Sequence, residues 1–189
     1  MKIYLLDRNE SVTYWWKQYF KDCKDVEIVC EDFKNFMDTQ NVECVVSPAN
    51  SYGLMDGGYD LAITEYFGLD LQKKVQQYLL DNLFGEQPVG TSIIVDINEK
   101  QKLIHTPTMR VPSRIQDPTV VYHCTRTCLM LAIKNNIKSI VIPAFGGACG
   151  NVNFATIAKM MYYAYIQVTN PPKQINWAYA SSVDLDEPY

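Results

Sequence analysis

Short apolar runs alternate with longer amphipathic stretches along most of the chain. The short runs are rich in Val and Ile, which is typical of strands buried in a sheet. The longer stretches place apolar residues three and four positions apart, which is typical of helices that bury one face. Strands are predicted over residues 2–7, 26–30, 44–46, 90–97, 102–106, 139–142 and 175–180. The alternation predicts an α/β fold, a three-layer α/β/α sandwich with a mixed, mainly parallel central sheet.

The predicted helices begin at residues that are common at helix termini. Ser11 is expected to cap the first helix, and Asp117 to cap a later helix whose first position is a proline. Another helix is predicted over residues 69–83, and the last long helix is expected to begin near Asn151 or Asn153. These helices would cover the two faces of the sheet.

A loop of small polar residues and glycines follows the predicted strand at residues 44–46. Residues 47–51 are small and mostly polar, Gly57 and Gly58 lie in the loop beyond them, and residues 59–63 open a helix. Glycines let the backbone approach a phosphate closely, and the N–H groups of a first helical turn favour an anion. This order predicts a ligand site above the carboxyl edge of the sheet. A generic strand–loop–helix connection, whose glycines serve only the turn, is the alternative.

The segment from Ile140 to Gly150 has the same order as this first loop: a buried strand, a glycine-rich tip and a helix start. Two such loops on neighbouring strands could hold a diphosphate through backbone N–H groups, with no basic residue required. An acidic protein could therefore bind an anionic ligand.

Composition narrows the classes of function. The chain has 189 residues, which fits a single domain over 1–189 with residues 181–189 as an acidic, frayed tail. A net charge of −4 argues against nucleic acid or an anionic membrane as the main partner. No apolar run reaches the length of a membrane span, and the amino terminus lacks the features of a signal peptide. The six scattered cysteines indicate free thiols in a reducing cytosol, so a cytoplasmic monomer is expected.

A metal site is not expected. His123, Cys124 and Cys128 are close in sequence, but no second Cys/His pair has a spacing typical of metal ligands. No cofactor is expected either.

The two loops resemble those of the macrodomain family, whose members are ADP-ribose-binding modules. The first family loop consists of a strand, an NAAN-like tip, a glycine run and V-D-x-A-I; residues 47–50, 55–58 and 59–63 match it without a gap. The second family loop runs from an apolar strand through P-A to a G-T-G-like tip, as residues 140–150 do. The resemblance extends from about residue 26 to 168 and is nearest, in the first loop, to the hydrolytic MacroD-like branch.

The resemblance implies that the ligand is ADP-ribose or a close derivative. Asn50 would then hold the distal ribose, and Asp60 would activate water, since a carboxylate at a helix start is expected to stay ionised. Asp32 would accept a hydrogen bond from the exocyclic amine of the adenine, with Phe33 beside it. The other implied ligand contacts are Ser47, Ala49, Gly57, Gly58, Tyr59, Phe145, Gly146, Gly147, Ala148, Cys149 and Gly150. The alternatives are a helix N-cap for Asp32 and a first-turn acid favoured by the helix dipole for Asp60.

Departures from the family pattern leave two functions open. Ser47 stands where the family often has an asparagine, Met55 and Asp56 replace two glycines, and the second loop is one residue shorter. One function is hydrolysis of an ADP-ribosyl bond or of the terminal phosphate of ADP-ribose 1''-phosphate. The other is a non-catalytic reader that binds ADP-ribosyl groups, on protein for example, or an NAD-derived signal nucleotide. Arg110 could reach a phosphate or could simply be solvated. A doubly wound domain for another nucleotide is a third interpretation.

Overall fold

A computed structural model describes residues 1–182 and residue 185. Its sheet has six strands in the order β2-β1-β6-β3-β5-β4. The strands are β1 Lys2–Asp7, β2 Val26–Cys30, β3 Cys44–Ser47, β4 Ile93–Asp96, β5 Lys102–His105 and β6 Ser139–Ile142. β4 runs antiparallel to β5, and all other neighbouring pairs are parallel. The predicted mixed, mainly parallel sheet is confirmed.

Helices lie on both faces of this sheet. They are α1 Glu10–Tyr19, α2 Phe33–Thr39, α3 Gly58–Phe67, α4 Asp70–Leu83, α5 Thr119–Lys134, α6 Phe154–Thr169 and α7 Trp177–Ser182. α1, α5 and α6 share one hydrophobic core with the sheet, and α2, α3 and α4 share another. No helix in the described part of the chain is long and apolar enough to cross a membrane.

The central strands separate these two cores. Val46 of β3 and Ile140 of β6 belong to the core under α1, α5 and α6. Val45 and Val141, the neighbouring residues, belong to the core under α2, α3 and α4. Because successive strand residues point to opposite faces, a strand covered on both faces must be apolar throughout. This explains the continuous apolar runs in the sequence.

The prediction of a strand over residues 175–180 is wrong. This segment contains most of α7, and the Asn176 side chain accepts a hydrogen bond from the Tyr179 amide at 2.9 Å. Ile175 and Trp177 are 85% and 87% exposed. An apolar run becomes a strand only where a neighbouring strand pairs with it, and this segment has no such neighbour among the described residues. Ser181 and Ser182 end α7, whereas residues 183, 184 and 186–189 of the predicted tail lie outside the described part.

Several predicted boundaries need smaller corrections. The cap of α1 is Asn9, not Ser11, because the Asn9 side chain accepts from the Ser11 amide at 2.9 Å. Of the strand predicted over residues 90–97, only Ile93–Asp96, which is β4, is a strand. The N-cap residue of α5 is Pro118, not Asp117, and Thr119 takes the first helical position predicted for the proline. Asp117 lies one residue earlier, where its side chain accepts from the Thr119 amide at 2.9 Å. Asn153 caps α6.

Candidate functional site

Two cavities open at the carboxyl edge of the parallel strands. The first, here called the Asp32 cavity, has a volume of about 320 Å³. The second, the Asp60 cavity, has a volume of about 300 Å³. Asp7, Gly58, Tyr59 and Ala148 line both. The two cavities are therefore neighbours that share part of their wall, at residues of both glycine-rich loops, and together they are called the cleft here.

Most of the predicted ligand residues line this cleft. Those in the Asp32 cavity are Asp32, Phe33, Gly58, Tyr59, Gly147 and Ala148. Those in the Asp60 cavity are Ala49, Asn50, Gly57, Gly58, Tyr59, Asp60, Gly146, Ala148, Cys149 and Gly150. The structure thus brings together residues from both predicted loops and from the end of β2.

Asp32 lies at the start of α2 and fulfils the structural role considered for it. Its side chain accepts a hydrogen bond from the Lys34 amide at 2.9 Å, so it is the N-cap of that helix. It also lines the cavity, so capping and ligand binding are compatible. Phe33 is buried and packs edge-to-face against the Tyr59 ring, with centroids 5.2 Å apart. This aromatic pair forms an apolar wall beside the Asp32 carboxylate.

The glycine loop before α3 leaves open space where another residue would place a side chain. Gly57 is the N-cap residue of α3 with extended backbone, and no side chain caps this helix. A Cβ atom added at Gly57 or Gly58 would meet nothing within 4 Å. The first N–H groups of α3 are therefore accessible from the cleft, which is the arrangement that favours an anion.

The second loop needs glycine for a different reason. Gly146 has a φ of +77°, and a Cβ there would lie 2.9 Å from Ile115 Cδ1. A Cβ at Gly150 would lie 2.7 Å from the carbonyl oxygen of Gly146. The loop is tightly packed against its own backbone and against the segment before α5, so these glycines fix its shape.

Asp60 is the most perturbed carboxyl group of the cleft. It is 7% exposed, and its Oδ1 accepts a hydrogen bond from the Ser47 hydroxyl at 2.6 Å. Burial raises the pKa of Asp60 to about 7; the Ser47 hydrogen bond lowers it, and the charge of Asp56 raises it further. The expectation that this group stays ionised is therefore met only in part, because burial, the largest cause of the shift, leaves it only partly ionised near pH 7. Near neutral pH it can either accept or donate a proton, as a general acid–base group must.

Asn50 shapes its own loop. Its Nδ2 donates to the Leu54 carbonyl at 2.7 Å, and its Oδ1 accepts from the amides of Tyr52 and Leu54 at 3.1 and 3.3 Å. A side-chain amide has two N–H donors, so one N–H remains for a ligand in the cavity that Asn50 lines. Asn50 is thus both a loop residue and a candidate ligand contact.

Two predicted ligand residues and Arg110 do not line the cleft. Ser47 is fully buried behind Asp60. Phe145 is also fully buried and belongs to the hydrophobic core, so its role is packing. Arg110 forms an ion pair with Glu86, with Nε 2.7 Å from Oε1, and its guanidinium lies 5.1 Å from the Tyr52 ring centroid.

The sequence interpretation missed two parts of the cleft wall. Asp7, Arg8 and Asn9 form the turn between β1 and α1 and line the Asp32 cavity. Thr108, Met109 and Pro112 line the Asp60 cavity. The signal was present for the first group, since Asp7 ends an apolar strand and the carboxyl ends of parallel strands share one edge. Burial raises the pKa of Asp7, whereas a hydrogen bond from the Asn9 amide lowers it.

A buried polar pair supports the cleft from behind. His105 of β5 is the strand partner of Ser47, and its Nδ1 lies 2.7 Å from Gln87 Oε1. Burial lowers the pKa of His105 to about 3, so the ring is neutral. It lines neither cavity. No cluster of three or more metal-ligating side chains occurs among the described residues.

Comparison with known proteins identifies the family. The sequence pattern of the family described as Macro domain matches residues 46–161, which is more than half of the chain. The chain therefore belongs to the macro domain family. An uncharacterised protein of Aquifex aeolicus is 28% identical over 139 residues, which cover 72% of this chain and 78% of that protein.

Solved macrodomain structures resemble the fold. The Oceanobacillus iheyensis macrodomain with ADP has 25% identity and a TM-score of 0.61, over 69% of this chain and 72% of that one. A mutant of the same macrodomain with ADPR has 24% identity and a TM-score of 0.61, over 69% and 73%. The macrodomain of Mycobacterium tuberculosis DarG has 17% identity and a TM-score of 0.59, over 69% and 85%. The last two likenesses concern the fold alone.

Proposed function

We propose that the chain binds ADP-ribose or a close derivative along the cleft. The observation that carries this proposal is the adjacency of the two cavities at the glycine loops, with Asp32 in one and Asp60 in the other. An elongated ligand with two sugar rings and a central diphosphate fits this order. The Oceanobacillus iheyensis macrodomain structure with ADP supports it through family membership.

In this proposal the adenine occupies the Asp32 cavity. The Asp32 carboxylate accepts a hydrogen bond from the exocyclic amine, and the Phe33 and Tyr59 rings provide the apolar wall. The diphosphate lies between Gly58 and Ala148, where the cavities meet and the amino terminus of α3 has no side-chain cap. The distal ribose then lies in the Asp60 cavity, beside Asn50 and Asp60.

We propose in addition that Asp60 supports hydrolysis at the distal ribose. A water molecule attacks the anomeric carbon, Asp60 takes a proton from that water, and the bond to the substituent breaks with its electron pair leaving on the substituent. The substituent would be an ADP-ribosylated group or the phosphate of ADP-ribose 1''-phosphate. A pKa of about 7 suits this role, because a general base works best near the operating pH. The Ser47 hydroxyl holds the carboxylate in place.

The alternative is a non-catalytic reader that sequesters ADP-ribosyl groups or an NAD-derived nucleotide. One observation favours it: the Asn50 amide is committed to three hydrogen bonds within its own loop.

We further propose that residues 1–189 form one domain acting as a cytoplasmic monomer, without metal or cofactor, on the free nucleotide or on ADP-ribosylated protein. The two hydrophobic cores share one sheet, which supports the single domain. The cysteines are free thiols, which supports a reducing compartment such as the cytoplasm.

Calorimetry with ADP-ribose, ADP, AMP and NAD tests the binding proposal. ADP-ribose should bind more tightly than AMP, because it occupies both cavities, and a chelator should not change its affinity. Equal affinities for ADP-ribose and AMP would exclude a role for the Asp60 cavity. Single-turnover hydrolysis of an ADP-ribosylated carboxylate and of ADP-ribose 1''-phosphate separates the two functions. Tight binding of ADP-ribose without cleavage of either substrate would leave the reader as the function.

A further inference from the structure

The Asp60 cavity combines negative charge with apolar surface. Three carboxylates line it, those of Asp7, Asp56 and Asp60. No lysine, arginine or histidine is among the described residues that line it. The cavity encloses about 300 Å³, so a group bound inside lies near these side chains, of which Asp60 is only partly ionised near neutral pH.

The charge of Asp56 acts inside the cavity although its side chain is exposed. It is one of the causes that raise the pKa of the buried Asp60 carboxyl group. A negative charge that disfavours ionisation of Asp60 also disfavours a phosphate brought to the same place, since both are anions.

Arg110, the arginine next to Met109 in the sequence, does not face the Asp60 cavity but pairs with Glu86. Met109 lines the cavity, but the next residue, Arg110, does not. Its guanidinium is held by Glu86 through two hydrogen bonds of 2.7 and 3.2 Å and lies over the Tyr52 ring. The cation that could have neutralised a phosphate at this end is thus already paired.

Part of the remaining wall is apolar. Leu54, Met109 and Pro112 line the cavity, and Leu54 is 45% exposed. The polar side chains of Asn50 and Thr108 line it as well. The apolar part suits an uncharged or weakly hydrated group, because its side chains offer no donors to replace the hydration of a phosphate.

We propose that the Asp60 cavity selects ADP-ribosyl ligands whose anomeric substituent is uncharged or cationic over those that carry a phosphate there. The proposal rests on the proposed binding mode and narrows its ligand class. It removes ADP-ribose 1''-phosphate from the preferred ligands and retains ADP-ribosyl groups joined to a neutral or positively charged group. Asp56 is then a specificity-determining residue.

Calorimetry at low ionic strength tests this selectivity with three ligands: ADP-ribose, ADP-ribose 1''-phosphate and NAD, whose anomeric carbon carries a cationic nicotinamide. The wild-type protein should bind ADP-ribose at least tenfold more tightly than its 1''-phosphate, and NAD more tightly than the 1''-phosphate. Asp56→Asn should narrow the ratio between ADP-ribose and its 1''-phosphate by threefold or more. Glu86→Gln should also narrow it, because the Arg110 guanidinium is released. Glu99→Gln is the matched control; it removes one negative charge from the exposed turn between β4 and β5, at the opposite edge of the sheet.

The outcomes separate the selectivity from the proposed function. Absence of ADP-ribose binding to the wild-type protein would overturn both. Tight ADP-ribose binding with equal or tighter binding of the 1''-phosphate would overturn the selectivity alone. The selectivity would also be overturned if neither Asp56→Asn nor Glu86→Gln changed the ratio of the affinities for ADP-ribose and its 1''-phosphate. It would likewise be overturned if Glu99→Gln changed this ratio as much as those two variants do. Asp56 and Glu86 are exposed, so melting curves should confirm that all variants remain folded.

Discussion

Replacing Asp60 by asparagine should make the folded protein more stable at pH 8. The native carboxyl group has a pKa of about 7, compared with 3.8 for an ordinary aspartate. Between these values the folded state binds the proton and the unfolded state does not, so the free energy of unfolding falls as pH rises through this window. The difference of about three units corresponds to about 4 kcal/mol at pH 8. Asn has nearly the same shape and can still accept the hydrogen bond from Ser47.

The net gain in Asp60→Asn should be smaller than this, because the new amide N–H groups need acceptors, at a cost of roughly 1–3 kcal/mol. A net gain of about 2 kcal/mol would raise the melting temperature by roughly 4–8 °C at pH 8 for a chain of this size. At pH 4 the variant should instead be the less stable protein, by roughly 1–3 kcal/mol, since the wild-type carboxyl group is then protonated and only the cost of the new N–H groups remains. If Asp60 is a general base, single-turnover hydrolysis should slow by roughly a hundredfold or more.

Thermal unfolding at several values from pH 4 to pH 9, with Glu99→Gln as control, measures the stability. The melting temperature of the wild type should fall between pH 4 and pH 8, and that of Asp60→Asn should fall much less. Parallel pH profiles for the two proteins would refute the assignment of a raised pKa to Asp60. A stable variant that cleaves substrate at the wild-type rate would instead refute its role as the base.

Three further predictions concern residues of the cleft, two of them through ligand binding and one through stability. Gly57→Glu should abolish ADP-ribose binding in calorimetry with a nearly unchanged melting temperature, because its Cβ meets nothing within 4 Å and its charge enters the cleft; wild-type affinity would argue against a diphosphate beside α3. Asn50→Ala should lower stability by roughly 1–3 kcal/mol, since it leaves the Tyr52 and Leu54 amides without their acceptor; an unchanged denaturant midpoint would contradict that loop role. Arg8→Gln should weaken the binding of ADP-ribose about tenfold and that of adenosine hardly at all, because Arg8 is the basic residue among those that line the Asp32 cavity. If the control Lys100→Gln weakened ADP-ribose binding equally, the effect would be one of net charge and not of Arg8 itself.

The strands of the core could be predicted because burial on both faces leaves an unmistakable apolar run, as at Val45 and Val46. The same signal failed for residues 175–180, since exposed Ile175 and Trp177 have the composition of a strand without a neighbour to pair with. Composition records how apolar a segment is, and pairing depends on where the chain places other strands.

The cleft was predictable where the loop itself carries the chemistry and not where separate segments meet. The sequence of the first loop alone predicts that Gly57 lies in the loop and that Asp60 lies in the first turn of the helix after it. Burial of Asp60, its contact with Ser47 and the resulting pKa depend on how α3 packs on β3. Predicting the role of the turn at Arg8 required knowledge that β1 is an inner strand of the sheet, between β2 and β6.

The position of β1 between β2 and β6 has a consequence for how this chain can be divided. The family pattern begins at residue 46, inside β3, whereas β1 pairs with both β2 and β6. A fragment beginning there would leave β6 with an unpaired edge and would remove Ile3 and Leu5 from the core. The segment from residue 46 to 161 therefore lacks strands that complete the sheet. Conversely, the turn between β1 and α1 could be exchanged for that of a relative to retune one end of the cleft while the glycine loops stay intact.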